Sequence, residues 1–318
     1  MIKVLANDGI SQSGVEALET AGFEVITQKV AQEQLANVIN EKEINVLLVR
    51  SATTARKELI DACPSLKMIG RGGVGMDNID VEYAKSKGLE VVNTPAASSE
   101  SVAELVFSHL FNMVRFVYDS NRQMPLEGDT KFKELKKAYA KGSELKGKTL
   151  GIIGFGRIGQ EVAKRAIGLG MEVIANDKFI KDASLELSFY DGQSLTFDIK
   201  TSSFEEVLKE SDFITLHIPK LSDKAVIGKS EFEMMKDGAG IVNAARGGVI
   251  DEEALINALN SGKISSAGLD VFENEPQPQV KLLMEANVSL TPHIGAATNE
   301  AQDRIGKELA DKIISYFS

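Results

Sequence analysis

Short apolar runs alternate along this chain with stretches whose apolar residues recur at three- and four-residue spacing, the pattern of strands alternating with amphipathic helices. In the first part, runs at 2–6, 23–27, 45–50, 67–70 and 89–93 predict strands. Helical spacing covers 13–21, 32–41, 55–62 and 81–87, and Pro64 stops the third of these helices. NVLLVR at 45–50 is almost wholly apolar and reads as a central strand covered on both faces. This βα alternation predicts a parallel, doubly wound sheet.

Residues 98–121 read as one long helix, capped by Ser98 or Ser101, with Ser101-x-x-Glu104 matching a capping box. Its apolar positions cover more than one face, so it is buried on several sides or meets a second subunit. Residues 125–147 are polar, lysine-rich and punctuated by glycine, and read as a connecting arm with a solvated basic surface. Strands are then expected at 149–153, 171–175, 213–216, 240–243, 266–269 and 288–290. Helices are expected at 204–209, 230–235, 252–260, 280–286 and 299–317. Between 185 and 201, alternation about Asp191-Gly192 signals a hairpin.

At roughly 150 residues per domain, 318 residues suggest two domains. The content of 43% hydrophobic and 26% charged residues fits a globular protein with a sizeable core. A net charge of −10 argues against nonspecific nucleic-acid binding. Cys63 is the only cysteine, which excludes a disulfide framework and a multi-cysteine metal centre. The N-terminus lacks a signal-peptide pattern, and no window approaches the apolar length of a membrane span. A cytoplasmic enzyme without a metal is the expectation.

The segment KGKTLGIIGFGRIGQEVAKRAIGLGMEVIAND (146–177) places Gly154, Gly156 and Gly159 as G-x-G-x-x-G between an expected strand and an expected helix. The first glycine permits the turn, the second lets backbone approach a pyrophosphate, and the third lets helix and strand pack closely. The helix start then offers free N–H groups to the phosphates. Asp177 ends the next strand, near the spacing of about 20 residues at which an acid meets the ribose hydroxyls. A dinucleotide site follows, with NAD favoured over NADP because a carboxylate repels a 2′-phosphate; Lys178 and Lys181 partly offset that repulsion.

Open parallel sheets bind ligands at the carboxyl ends of their strands. Residues that follow the later strands are His217, Arg246, Asp270 with Glu275, and His293. Reduction of a carbonyl needs a hydride donor, a proton source and a cation that orients the substrate. His293 suits the proton transfer. Glu275 suits the other ring nitrogen, where it would fix the tautomer, and Arg246 suits a bidentate grip on a carboxylate. Asp270 is placed to meet the nicotinamide end of a cofactor. His217 reads either as structural or as part of the cofactor pocket, and His109, inside the long helix, as structural.

These motifs together resemble the D-isomer-specific 2-hydroxyacid dehydrogenases over essentially the full length: GFGRIG (154–159), ITLHIP (214–219), VNAARGGVID (242–251), GLDVFENEP (268–276) and TPHIGAAT (291–298). The resemblance implies Arg246, Glu275 and His293 as the catalytic set. It implies cofactor contacts from Arg157, Ile158, Asp177, Ala244, Asp270 and Gly295. VRSATT (49–54) and IGRGGVGMDNID (69–80) are similar to the D-3-phosphoglycerate dehydrogenase branch. That likeness implies substrate contacts from Arg50, Ser51, Gly72, Gly73 and Val74, with Arg50 at a phosphate and the loop N–H groups at a carboxylate. It also implies a homodimer joined through the cofactor domain, with arm lysines as possible additions to the substrate site.

The implied layout is a flavodoxin-like substrate domain of 1–98 plus 293–318, around a Rossmann NAD domain of 99–292, with the active site in the cleft. The activity implied is NAD-dependent oxidation of D-3-phosphoglycerate to 3-phosphohydroxypyruvate, toward serine. The alternatives are a glyoxylate or hydroxypyruvate reductase and, in another class, an NADH-sensing binding protein. The chain ends after its last expected helix, so serine feedback through a C-terminal domain is not expected. The 185–201 hairpin is longer than the family leads one to expect, and reads as a surface insertion or as a modulator of cofactor access.

Overall fold

A strand buried on both faces has to be followed by a crossover that covers one of them, and here almost every crossover carries a helix. The computed structural model describes all 318 residues. They form two compact units, residues 1–101 with 296–318, and residues 102–295. The boundaries fall in the first turn of a helix and just after Gly295, so His293 and Gly295 both belong to the second unit.

The first unit runs β1 (Lys3–Ala6), α1 (Gln12–Thr20), β2 (Glu24–Ile26), α2 (Leu35–Lys42), β3 (Val46–Val49), α3 (Lys57–Ala62), β4 (Met68–Arg71), α4 (Val81–Ser86) and β5 (Glu90–Asn93). Its sheet is parallel throughout, in the order β2-β1-β3-β4-β5, the flavodoxin-like order. Strand order reverses between β1 and β3, and the loops that leave those two strands carry Asp8 and Arg50-Ser51.

The second unit continues with α5 (Ser99–Arg115, whose first turn lies in the first unit), α6 (Val117–Glu127), α7 (Phe132–Ala138), β6 (Thr149–Ile153), α8 (Arg157–Gly168), β7 (Glu172–Asn176), β8 (Asp182–Ser188) and β9 (Ser194–Lys200). After these come α9 (Phe204–Glu210), β10 (Phe213–Leu216), α10 (Lys229–Met234), β11 (Ala239–Asn243), α11 (Glu252–Asn260), β12 (Ile264–Leu269), α12 (Val280–Leu283) and β13 (Val288–Leu290). Six parallel strands lie in the order β13-β12-β11-β10-β6-β7, a Rossmann-type sheet that reverses between β6 and β10. The last helix, α13 (Asn299–Phe317), returns to the first unit.

Each sheet has a core on both faces. In the first unit, Leu5, Leu47, Val49 and Ile69 pack with Leu35, Ile39, Leu59 and Ile60 on one side. Val4, Ala6, Leu48 and Met68 pack with Ile305, Leu309 and Ile313 of α13 on the other. This two-sided burial accounts for the unbroken apolar run at 45–50 and for the central place of β3.

Three expectations need correction. The single helix at 98–121 is two helices, because Phe116 takes a left-handed conformation (φ 53°) and breaks the chain after Arg115. The Asn112 side chain then accepts the N–H of Tyr118 (2.6 Å) at the new helix start. Helix α5 begins at Ser99, so Ser101 lies within its first turn, and Glu104 is directed to Arg165 (3.3 Å) rather than back to a cap. The connecting arm is also helical: α6 passes through Pro125, and the lysine-rich part forms α7.

The hairpin stands where expected, as β8 paired antiparallel with β9. Its inner face is structural. Leu185 is fully buried in the core of the second unit, with Ala183 and Ile199 packed beside it along with Ile158 and Ile167 of α8. At the outer edge of β7, Ala175 bridges Thr201, and the Asn176 side chain donates to the Ser202 carbonyl (2.9 Å).

Candidate active site

The reversal between β6 and β10 opens the carboxyl ends of both strands, and the glycine turn fills it. A Cβ on Gly159 would lie 2.2 Å from the Gly154 carbonyl oxygen, so α8 approaches β6 this closely only with glycine. A Cβ on Gly156 would meet nothing within 4 Å, and Gly156 caps α8 with no side-chain acceptor. The first N–H groups of α8 therefore remain open to an anion at a backbone free of side chain. Arg157 is exposed and Ile158 is packed into the core.

Asp177 accepts three backbone N–H bonds, from Phe155 (2.7 Å), Phe179 (2.8 Å) and Ile180 (3.0 Å). Partial burial raises its pKa, but those N–H groups and Lys181 outweigh burial and hold the carboxyl below its ordinary value. The result is a fixed carboxylate beside the glycine turn with acceptor capacity left for a ribose diol. These features fit NAD.

His217 follows β10. Its Nε2 lies 3.0 Å from Thr215 Oγ1, while Nδ1 is buried and has no partner in the chain. Burial pulls its pKa down to about 3, so the imidazole is neutral at physiological pH. His109 is plainly structural: buried on α5, it bridges Ser289 (2.8 Å) and Thr291 (3.1 Å).

The turn after β11 carries Ala244, Ala245 and Arg246. Asn243 shapes it, donating to the Arg246 carbonyl (2.9 Å) and accepting from Ala245 N–H (3.0 Å). The Arg246 guanidinium is half-buried and donates to the Ala245 carbonyl (2.6 Å). Gly247 comes next, and a Cβ there would lie 1.7 Å from the Phe272 carbonyl oxygen. The Arg246 turn and the 270–275 loop are thus in backbone contact.

On that loop, Glu275 Oε1 accepts Phe272 N–H (3.0 Å) and Oε2 lies 2.8 Å from His293 Nδ1. A carboxylate only accepts, so Nδ1 bears the hydrogen and Nε2, which has no partner in the chain, is left to take or give a proton. An apolar cavity of about 410 Å³, lined by Phe272, Pro276, Pro278, Leu283, Leu290 and Pro292, flanks the pair.

His293 itself is left-handed (φ 56°), and Asp270 holds it there. Asp270 is 1% exposed. Its Oδ1 accepts from Thr291 Oγ1 (2.6 Å) and Ile294 N–H (2.8 Å), and its Oδ2 from Gly295 N–H (2.8 Å). This carboxylate fixes the 291–295 turn.

In the first unit, Asp8 fixes the loop after β3 by accepting the N–H groups of Arg50 (2.7 Å) and Thr53 (3.0 Å). Asn78 donates to the carbonyls of Arg50 (2.7 Å) and Thr53 (2.6 Å). The Arg50 side chain is half-buried and its guanidinium has no partner in the chain, and Ser51 is exposed. The loop after β4 departs from expectation. Gly72 N–H is taken by the Val49 carbonyl (2.9 Å) and Gly73 N–H by the Arg71 carbonyl (3.0 Å). Only Val74, 37% exposed, keeps an open N–H among the three.

Residues 107–295 match the family model of the D-isomer specific 2-hydroxyacid dehydrogenase, NAD binding domain. The chain is 44% identical over 316 residues to a hydroxypyruvate reductase of Thermotoga maritima, covering 98% of this chain and 97% of that protein. It belongs to the D-isomer-specific 2-hydroxyacid dehydrogenases. This dehydrogenase is also 44% identical over 315 residues to a D-3-phosphoglycerate dehydrogenase of Methanocaldococcus jannaschii, covering 98% of this chain but 57% of that protein. Among solved structures, a glyoxylate reductase from Paecilomyes thermophila superposes with a TM-score of 0.82 at 32% identity, over 100% of this chain and 95% of that one.

The second unit of the dehydrogenase is accordingly an NAD-binding domain, and the fold is the doubly wound pair expected. Sequence reasoning passed over Asn243, Gly247 and Thr291, which shape the segments carrying Arg246, Glu275 and His293. Gly247 had a readable signal, a second small residue directly after the arginine. No helix is long and apolar enough to cross a membrane, and no cluster of three or more His, Cys, Asp or Glu side chains could hold a metal ion.

Proposed function

We propose that this dehydrogenase oxidises D-3-phosphoglycerate to 3-phosphohydroxypyruvate with NAD, a first step toward serine, as a cytoplasmic homodimer. NAD, when bound, accepts the hydride from C2. His293 Nε2 takes the hydroxyl proton, and Glu275, 2.8 Å from Nδ1, keeps the ring in the matching tautomer and orientation. Arg246 grips the substrate carboxylate and polarises the neighbouring carbon–oxygen bond. In the first unit, the open N–H of Val74 suits a carboxylate. The fixed charge of Asp177 favours NAD over its 2′-phosphorylated form.

Arg50 carries the choice of substrate. It sits where strand order reverses in its sheet, its backbone is pinned by Asp8, and its guanidinium has no partner in the chain. Such a group suits a phosphate dianion. One observation favours a second reading, hydroxypyruvate reduction: the Thermotoga relative so described is matched almost end to end. The homodimer reading is supported by α6, which has no buried residue and exposes Val117, Tyr118, Met124 and Leu126.

The test is NADH oxidation with 3-phosphohydroxypyruvate, hydroxypyruvate and glyoxylate side by side. A higher kcat/KM for the phosphorylated acid is expected. Arg50→Gln should lower that value by about 10- to 100-fold, the worth of one charge-assisted contact, and leave hydroxypyruvate nearly unchanged. Preference for the unphosphorylated acids would overturn the substrate assignment and retain the chemistry. NADH binding without turnover of any of them would leave a sensor.

A further inference from the structure

Glu252 is the first residue of α11, beside the cap Asp251, and is 4% exposed. Its Oε1 accepts Glu273 N–H (2.7 Å), and Glu273 Oε1 accepts Glu252 N–H (3.1 Å). These reciprocal bonds join the segment that follows Arg246 to the loop that carries Glu275. They stand beside the contact of Gly247 with the Phe272 carbonyl, which joins the same two segments. The second oxygen, Oε2, is buried and has no partner in the chain.

The charges facing Glu252 are the carboxylates of Glu273 and Glu275. Lys281 is drawn away by Glu253 (3.1 Å). Burial is the main cause that raises the pKa of Glu252; the Glu273 N–H opposes it, and the two facing carboxylates add to it. An unpartnered oxygen in this place is a standing cost to the fold, so the fastening made by the other oxygen is the feature to explain.

We propose that Glu252 is a positioning residue: it clasps the Arg246 segment to the Glu275 loop, so that the guanidinium and the Glu275–His293 pair keep one fixed geometry. The proposal rests on the catalytic reading of Arg246, Glu275 and His293 given above. Glu252 touches none of the reacting atoms and acts through the backbone at Glu273.

Glu252→Gln, Glu252→Leu and Glu273→Ala in the full chain test it. Gln keeps an acceptor for Glu273 N–H, so kcat should stay within about threefold. Leu removes the acceptor and should lower kcat by about 100-fold, the scale of an ångström of misplacement, while the NADH Kd stays within about threefold. Glu273→Ala, an exposed change that cuts the other bond, should lower kcat by roughly threefold to tenfold, and it decides the matter if the Leu variant does not fold. Combined with Glu275→Gln, the Leu change should cost little more, because both act on one element. Wild-type turnover with an unimpaired Leu variant, or a Gln variant as poor as Leu, would overturn the clasp. No wild-type turnover with any 2-oxoacid would instead overturn the catalytic reading on which it rests.

Discussion

Asp270→Asn is the perturbation whose size is best worked from this structure. The buried carboxylate receives three donors at 2.6, 2.8 and 2.8 Å, and all three belong to the turn that holds His293 left-handed. A hydrogen bond to a charged group contributes about 1.5–3 kcal/mol, and a non-glycine residue in the left-handed region costs about 1–3 kcal/mol. Asparagine keeps one acceptor and sets an amide N–H against a backbone N–H on the other side. Placing the amide toward Gly295 preserves two bonds, loses one and buries a donor facing a donor. The net cost is about 2–4 kcal/mol, enough to cancel what keeps His293 left-handed. If the whole loss falls on the catalytic turn, kcat drops by roughly 30- to 1000-fold at 1.36 kcal/mol per tenfold.

The assay is steady-state NADH oxidation with the preferred 2-oxoacid, paired with NADH titration by fluorescence. The expected result is a loss in kcat with little change in NADH affinity. A variant within threefold of wild type would refute the reasoning. A loss matched by NADH affinity would mean that Asp270 meets the cofactor and does not merely hold the turn.

Other substitutions probe neighbouring parts of the account. In Gly247→Ala the new Cβ would lie 1.7 Å from the Phe272 carbonyl oxygen and 2.3 Å from its carbon, so backbone has to move; kcat should fall by about 100-fold, and an active, normally melting variant would contradict the contact. Asp177→Asn should lower the preference for NADH over NADPH, read as the ratio of their Kd values, by about tenfold or more; an unchanged ratio would remove Asp177 as the selector. His217 is held at about 3 in the folded chain against an ordinary 6.5, so the unfolded chain binds a proton that the folded chain does not. Its contribution to stability is therefore full above about pH 6.5 and is lost as pH falls toward 3, with a slope of up to about 1.4 kcal/mol per pH unit. Chemical unfolding of wild type and His217→Gln between pH 7 and 5 should show the shallower slope in the variant, and equal slopes would contradict the buried neutral imidazole.

What was legible in the chain was local. Apolar runs bounded by turn residues announced the strands, and the glycine turn lay where its spacing placed it, because those signals act within a few residues. The break at Phe116 was not legible: no glycine or proline marks it, and it is held by Asn112 reaching forward to Tyr118 N–H. The helices of the 125–147 arm were missed because their polar composition conceals their periodicity. The hold of Asp270 on the 291–295 turn was not legible because its donors, at 291, 294 and 295, lie far along the chain. Gly72 and Gly73 were read as open donors, whereas the sheet itself and a tight local turn consume their N–H groups.

The central claim is that His293, set by Glu275, moves the proton in a hydride transfer between NAD and a 2-hydroxyacid. Its most direct test is His293→Ala, with kcat for NADH oxidation and NADH Kd measured on the same preparation. The account predicts that kcat falls by about 100-fold or more, the usual worth of a positioned acid or base, while NADH Kd stays within about threefold. An unchanged kcat, or equal losses in turnover and NADH binding, would contradict it.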